Sequence, residues 1–353
     1  MERRSFVRAM TGLALAPAVG SLVRGVPVVA APGARARLKI GFLGAAYSHA
    51  APKLALLRDH PDFELVGVWD DDPQVRDQVS GQGMPVLSQD EVLARSEVIA
   101  VESVVRDHAR HALIALSAGK HVHLEKPPSL RLDDFQEIVE LARQKQLVLQ
   151  GGYQYRYHPA FDAVIEAVRE GWLGDVFMVR ATMNNQLAVE RRADWGQYAG
   201  GVMYELGSHM VEAVVRLLGK PAQVTPFLFT HGPYGDGFKD NTLAVFEYPR
   251  AIATISSATF QPSAGAYRAF EVLGTSGTAT IRPLEPPALA IDLARAAGPY
   301  QAGMNNRSWP EWERFVGDLL ELAAAVRGER QLCVTLEQEL AVQETLLRAS
   351  GML

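Results

Sequence analysis

Cysteine is almost missing from this chain: Cys333 is the single one among 353 residues. No internal disulfide can form, and no cysteine cluster can hold a metal. Also lacking is any uninterrupted apolar run approaching the roughly 18–20 residues that a membrane-spanning helix needs. There is no excess of positive charge. Lys and Arg number 35 against 40 Asp and Glu, a formal net charge of −5, so no basic surface for nucleic acid is expected. Internal repeats and low-complexity linkers do not occur. Hydrophobic residues at 48% and charged residues at 21% exclude a disordered or fibrous chain, and the length suits two ordinary domains.

The first segment reads as an address. Met1-Glu2-Arg3-Arg4-Ser5-Phe6-Val7-Arg8 precedes a weakly apolar stretch from about Ala9 to Val23, and Val29-Ala30-Ala31 offers small residues for cleavage. The order of these parts predicts a twin-arginine export signal over residues 1–35 and a periplasmic or extracytoplasmic location. The absence of a disulfide framework agrees with folding in a reducing compartment before export. An exported enzyme has no pool of free nucleotide, so any nucleotide it uses is expected to be tightly held.

From Leu38 onward, short apolar runs alternate with helical stretches. Apolar runs lie at 38–43, 64–69 and 98–101, further strands are predicted at 121–124 and 147–150, and helices at 48–58, 107–118 and 132–145. This alternation predicts a parallel, doubly wound sheet of the Rossmann type over residues 36–155. Ligands of such sheets bind beyond the carboxyl ends of the strands. There the sequence places Gly44-Ala45-Ala46-Tyr47-Ser48-His49, a dinucleotide fingerprint that keeps only its first glycine. The loop and the helix after it make Gly44, Ala45, Ala46, Ser48 and His49 candidate pyrophosphate contacts. Asp70, at the end of the second strand, is placed for an adenosine ribose. Asp71 and Asp72 beside it would repel a 2′-phosphate, which favours NAD over NADP. By itself the loop fits equally a nucleotide-free α/β domain with a tight turn.

Residues 156–353 read as an α+β domain. Helices are predicted at 159–170, 201–218, 309–327 and 335–350, the last with a capping box at Thr335 and Gln338. Closely spaced β-rich runs at 176–184, 224–229, 243–248, 252–257, 270–273 and 278–281 predict a mostly antiparallel sheet. Glu205 and His209 sit four residues apart, on one face of the 201–218 helix, where a carboxylate can orient an imidazole. Alone, such a pair reads equally as an exposed ion pair. His121 and His123 share a strand face, but two histidines taken without a carboxylate partner make a poor site, so no metal is expected.

Several motifs then occur in one order. Gly119-Lys120-His121-Val122-His123-Leu124-Glu125-Lys126-Pro127 resembles the hallmark of the Gfo/Idh/MocA family, the family of glucose–fructose oxidoreductase and inositol dehydrogenase. Val66-Gly67-Val68-Trp69-Asp70, Ser103-Val104-Val105-Arg106-Asp107-His108, and the aromatic-Arg-aromatic segment Tyr153-Gln154-Tyr155-Arg156-Tyr157-His158-Pro159 are similar to further family segments. Gly200-Gly201 through Glu205-Leu206-Gly207-Ser208-His209 and Phe270–Gly277 complete the series. The resemblance implies an NAD-dependent oxidoreductase acting on CH–OH groups of a sugar, cyclitol or polyol, working as a homodimer or homotetramer. It adds Ser103, His108, Glu125 and Lys126 to the cofactor contacts. It makes Lys126, Glu205 and His209 catalytic, and Tyr155, Arg156 and Tyr157 substrate contacts; Trp195, with the charged neighbours Arg191, Arg192 and Asp194, suits a sugar ring on composition. Histidine suits removal of a hydroxyl proton near neutral pH, and a lysine stabilises the developing oxyanion. The family usually has aspartate at position 205. Glutamate there, together with export, keeps open a glycosidase, epimerase or lyase using transient oxidation without net redox; the eroded glycine fingerprint keeps open a sugar- or nucleotide-binding protein without turnover.

Overall fold

A five-stranded sheet from the first half of the chain presents the strand ends on which the site is assembled. The computed structural model describes residues 36–353, so the export segment at 1–35 lies outside the described residues. The strands are β1 (Leu38–Leu43), β2 (Phe63–Trp69), β3 (Val98–Val101), β4 (His121–Glu125) and β5 (Leu149–Gly152). They run parallel in the order β2-β1-β3-β4-β5. Helices α1 (Ala50–Asp59), α2 (Pro73–Gly81), α3 (Gln89–Arg95), α4 (Val105–Ser117) and α5 (Leu132–Gln144) lie between them. All four residues of β3 are buried, as a strand covered on both faces requires. One face packs Leu38, Ile40 and Phe42 against Leu54 and Leu57 of α1. The other packs Ile99 and Val101 against Ala112 and Leu116 of α4 and Phe135 and Ile138 of α5. The strand order reverses between β1 and β3, and the crevice beyond their carboxyl ends is the natural ligand position.

The second half continues with α6 (Pro159–Arg169), β6 (Val176–Thr182), α7 (Arg192–Gly196) and α8 (Ser208–Leu218). Then come β7 (Gln223–Phe229), β8 (Asn241–Glu247), β9 (Ile252–Ala258), β10 (Ala269–Gly274), β11 (Gly277–Ile281), β12 (Ala288–Leu293), β13 (Gly303–Ser308), α9 (Val316–Val326) and α10 (Leu336–Ala349). These strands form one eight-stranded sheet, β13-β12-β11-β10-β6-β9-β8-β7, antiparallel except where β6 meets β9. Its inner face packs Val179, Ala253 and Phe270 against Phe161 of α6, Val211 of α8 and Leu346 of α10. Its outer face leaves Phe227, Phe229, Leu243, Ile252 and Met304 exposed. The capping box of α10 is present, with Thr335 and Gln338 bonded reciprocally.

Three expectations are corrected. The strands β12 and β13 were not anticipated: β12 is alanine-rich, and β13 is a polar, largely exposed edge strand. The helix expected at 309–327 forms only from Val316. Phe315 takes a left-handed backbone, φ 67°, and the Trp312 ring stacks on Tyr155 with its Nε1–H donated to the Tyr157 carbonyl, so tertiary contacts hold this stretch out of the helix. Finally, α9 leaves the half in which it was placed: Leu319, Leu322 and Ala323 pack with Leu38 and Ile40 of the first sheet.

Candidate active site

The turn after β1 is built around one glycine. Gly44 has φ +86°, and a Cβ there would lie 2.3 Å from the Cα of Ser103. Only glycine combines that backbone with that approach. Gly44→Ala is expected to cost on the order of 1–3 kcal/mol of stability and to weaken nucleotide binding by about tenfold or more, read by denaturant titration and nucleotide titration. Asp70 fixes the same turn. Its Oδ2 accepts from the Ala45 amide at 2.7 Å and its Oδ1 from the Asp72 amide at 2.9 Å. Two adjoining pockets that share Ala46 and Val104 form a groove over this loop: Asp70, Asp71, Asp72 and Ser103 line one, and Tyr47, Ser48, Trp195 and Glu205 line the other. Ser103 has a buried hydroxyl without a partner, and among the described residues no backbone group accepts from the amides of Ala46 and Ser48. Unused donors along a groove at a strand switch point fit a dinucleotide.

Glu205, Lys126 and Tyr47 meet at the far end of that groove. Lys126 follows β4, and the Lys126–Pro127 peptide bond is cis. Its Nζ donates to Glu205 Oε1 at 3.1 Å and to the Glu205 carbonyl at 3.0 Å, and lies 5.1 Å from the Tyr47 ring. The Tyr47 hydroxyl donates to the same Oε1. Burial and then the Glu205 charge hold this phenol well above its usual range, so it stays a donor. The local backbone explains why Glu205 turns this way. Met203–Gly207 form a π turn, whose wider spacing takes residue 205 off the helical row that would stack it on residue 209. The expected Glu205–His209 pair is therefore corrected: the carboxylate serves Lys126 and Tyr47.

His209 stands at the start of α8, buried, with no partner for its Nδ1 among the described residues. The rings of Tyr155, Tyr153 and His49 lie 5.0, 6.4 and 6.5 Å away between centroids. Burial first, then the charges of Lys126 and His49, hold its imidazole well below the ordinary value. A neutral imidazole is the form that accepts a proton. His49, in place of the fingerprint's last glycine, bonds Glu125 Oε1 through Nδ1 at 3.0 Å.

Beneath Glu125 lies a buried charge cluster. Lys53 shares the inward face of α1 with Ala50, Leu54 and Leu57. Its Nζ donates to Glu102 at 2.6 Å and Glu125 at 2.7 Å, and lies 2.8 Å from His123 Nε2. Glu102, His123 and Glu125 are close enough to hold a metal together, but the lysine ammonium already contacts all three. His121, the other histidine of β4, instead accepts from the Val148 amide at 2.9 Å. Burial opposes ionisation of Glu125, but Lys53 and His49 hold it well below the usual carboxylate range. Burial lowers His123 to about 3, with Lys53 adding to the effect. Burial also raises Glu102 to about 8 and Asp318 to about 7. These two carboxyls hold protons in the folded chain that the unfolded chain releases near its ordinary values of 4.5 and 3.8. Their contribution to stability is full below those values and is lost as pH rises through about 7 to 8. Denaturant midpoints should fall over that window, and Glu102→Gln should remove part of the slope.

Residues 38–153 match the family described as "Oxidoreductase family, NAD-binding Rossmann fold", and residues 161–280 match the "GFO/IDH/MocA C-terminal domain". The chain belongs to the Gfo/Idh/MocA family. Within it, the chain is 30% identical over 203 residues to trans-1,2-dihydrobenzene-1,2-diol dehydrogenase of Mus musculus, covering 56% of this chain and 59% of that protein. It is 31% identical over 134 residues to D-glucoside 3-dehydrogenase of Escherichia coli (strain K12), covering 36% and 37%. The match thus spans less than two thirds of the length of these curated relatives. The crystal structure of GenD2 from gentamicin A biosynthesis in complex with NAD superposes with a TM-score of 0.74 at 25% identity, over 91% of this chain and 95% of that one. A UDP-N-acetylglucosamine 3-dehydrogenase from Acidithiobacillus ferrooxidans, with a TM-score of 0.72 at 18% identity over 90% and 98%, shares the fold.

Other family positions fall elsewhere than the sequence placed them. Arg156 is an interior strut: it is buried, with Nε on Glu212 at 2.8 Å and NH2 on Glu339 at 2.7 Å, and it ties the chain before α6 to α8 and α10. The Tyr157 hydroxyl donates to Glu321 at 2.6 Å, away from the groove. Both ring nitrogens of His108 face backbone carbonyls, of Pro127 at 2.8 Å and Ser103 at 2.9 Å, so this side chain braces the loops rather than offering a free donor to a cofactor. Tyr155 stays beside His209, with its hydroxyl on Glu285 at 2.7 Å. Trp195 lines the groove from the short helix α7, which Arg192 anchors by bonds to Asp236 at 2.6 Å and Asp240 at 2.9 Å. Tyr47 and Lys53 were missed as site residues. A lysine on the apolar face of α1 was the available signal for the second; for Tyr47 nothing in the sequence marked its partner.

Proposed function

We propose that this protein is an NAD-dependent dehydrogenase that oxidises a hydroxyl of a sugar, cyclitol or related polyol. The observation that carries the reading is a pair of adjoining pockets that share Ala46 and Val104, one lined by Asp70 and the other by Glu205, with Lys126 bonded to that Glu205. Gly44, Ala46, Ser48, Asp70 and Ser103 hold the cofactor, which supplies the hydride acceptor. Lys126 positions the substrate hydroxyl and stabilises negative charge developing on its oxygen. Neutral His209 accepts the hydroxyl proton. Trp195 offers a flat apolar surface to a ring. The acidic run Asp70–Asp72 supports NAD over NADP. The names of the diol and glucoside dehydrogenase relatives support a CH–OH substrate. The exposed apolar residues on the outer sheet face support self-association as a dimer or tetramer. Export by the twin-arginine route, with periplasmic residence and a tightly held cofactor, rests on Arg3-Arg4 and the apolar stretch that follows.

The test is mass spectrometry of whatever nucleotide copurifies, followed by NAD or NADP with a panel of polyols and glycosides. Substrate-dependent reduction of NAD is the expected result. A released leaving group with no net change in the cofactor would mark transient oxidation instead. Protein that neither carries nor takes up nicotinamide would refute both.

A further inference from the structure

We propose that His49, held by Glu125, is a relay that carries the hydroxyl proton from His209 to solvent; the inference rests on the dehydrogenase reading above. The two histidines differ in the groups that surround them. His209 is buried, its Nδ1 has no partner among the described residues, and the carboxylate four residues before it is engaged by Lys126 and Tyr47. The fixed positive charges near it, on Lys126 and Arg268, oppose a further one. A proton taken up there is poorly stabilised and has to leave before the next turnover. His49 is the neighbouring ring, 6.5 Å between centroids. Its Nδ1 is 3.0 Å from Glu125 Oε1, and Lys53 pins the other oxygen of that carboxylate at 2.7 Å. A base oriented by a fixed carboxylate is the arrangement found in hydrolytic triads. The remaining contacts of the ring are Tyr47 at 5.3 Å and Phe315 at 5.2 Å, and its side chain keeps 16% of its surface in contact with solvent.

The balance is simple. The substrate C–H leaves as hydride to the oxidised nicotinamide, and its O–H proton goes to His209. That proton then passes, across a bridging water, to His49 Nε2, because Nδ1 is committed to Glu125, and from there to bulk water. No further reactant is needed. The imidazole at the last fingerprint position thus does something a glycine could not. It also accounts for a carboxylate that reaches into the active site while being anchored from below by a buried lysine.

The experiment uses the full chain with His49→Gln and His49→Ala, NAD, and whichever of myo-inositol, glucose or methyl glucoside the wild type oxidises. His49→Gln should lower kcat by about 100-fold while nucleotide affinity stays within about threefold, and added imidazole should restore at least about a tenth of the lost rate to His49→Ala. A structural or cofactor-holding role would not produce imidazole rescue. Independently of turnover, nitrogen-15 NMR of the apo chain should show a protonated His49 Nδ1 that changes in Glu125→Gln, with His209 neutral at about pH 6. If His49→Gln turns over like the wild type, or loses nucleotide affinity at unchanged kcat, the relay is overturned and the dehydrogenase reading stands. If the wild type itself neither binds nor reduces nicotinamide, the dehydrogenase reading falls and takes the relay with it.

Discussion

Lys126→Met is expected to lower kcat/KM for hydroxyl oxidation on the order of 1,000-fold, about 4 kcal/mol of transition-state stabilisation. The side chain is buried, and its ammonium donates to Glu205 at 3.1 Å and lies 5.1 Å from the Tyr47 ring. Methionine fills a similar volume without donating to Glu205 or to a developing alkoxide. Nucleotide affinity should change little, because the loop over Gly44 and Asp70 does not depend on this ammonium. Lys126→Arg retains the charge but spreads it over a planar fork that does not match a site built for a point charge, so a large part of the loss should remain. Initial rates at saturating NAD, set beside a nucleotide titration, separate these effects. A Lys126→Met enzyme within about tenfold of wild-type kcat/KM would remove the lysine from the chemistry.

The second large effect concerns stability. Lys53→Met should destabilise the fold by about 3–5 kcal/mol, because it leaves the partners of a fully buried ammonium without compensation. Glu125 suffers most: of the carboxylates around Lys53, it is the one held below its ordinary range, and so the one left as an unpaired buried charge. Glu102, already raised to about 8, can take the loss by holding its proton. Two consequences discriminate this account from simple loss of packing. The double variant Lys53→Met/Glu125→Gln should be less destabilised than Lys53→Met alone. The penalty of the single variant should also shrink as pH is lowered and Glu125 can protonate. Urea midpoints at two pH values test both, and a single variant as stable as wild type at neutral pH would show that the cluster carries no such burden.

Much of the architecture was legible along the chain, for identifiable reasons. β1 and β3 are short, mostly apolar runs that end at turns, the pattern of strands buried in a parallel sheet. Gly44 announced a tight turn, and the structure shows why no other residue fits there. Thr335 and Gln338 announced a helix start that depends only on residues three apart. Misreadings arose where distant residues overrule local preference. Trp309–Phe315 has helical composition, but Tyr155 and Tyr157 claim its Trp312. Arg156 sits between two tyrosines in a segment similar to a family cleft motif, yet Glu212 and Glu339 draw it inside. Glu205 has the right spacing to reach His209 on an α-helix, but a π turn and two donors from the first half of the chain take it elsewhere.

By itself the sequence determined which segments become strands and helices, that the halves belong to different fold classes, and which residue types stand at the strand ends. These depend on periodicity and on turn chemistry over a few residues. Only the tertiary structure decided which charges pair. Lys126 and Glu205 are 79 residues apart, Lys53 and Glu125 72, and Arg156 and Glu339 183. A buried ion must find whatever counter-charge the packing brings within hydrogen-bond reach, and that choice is made between elements that have no information about one another until they touch.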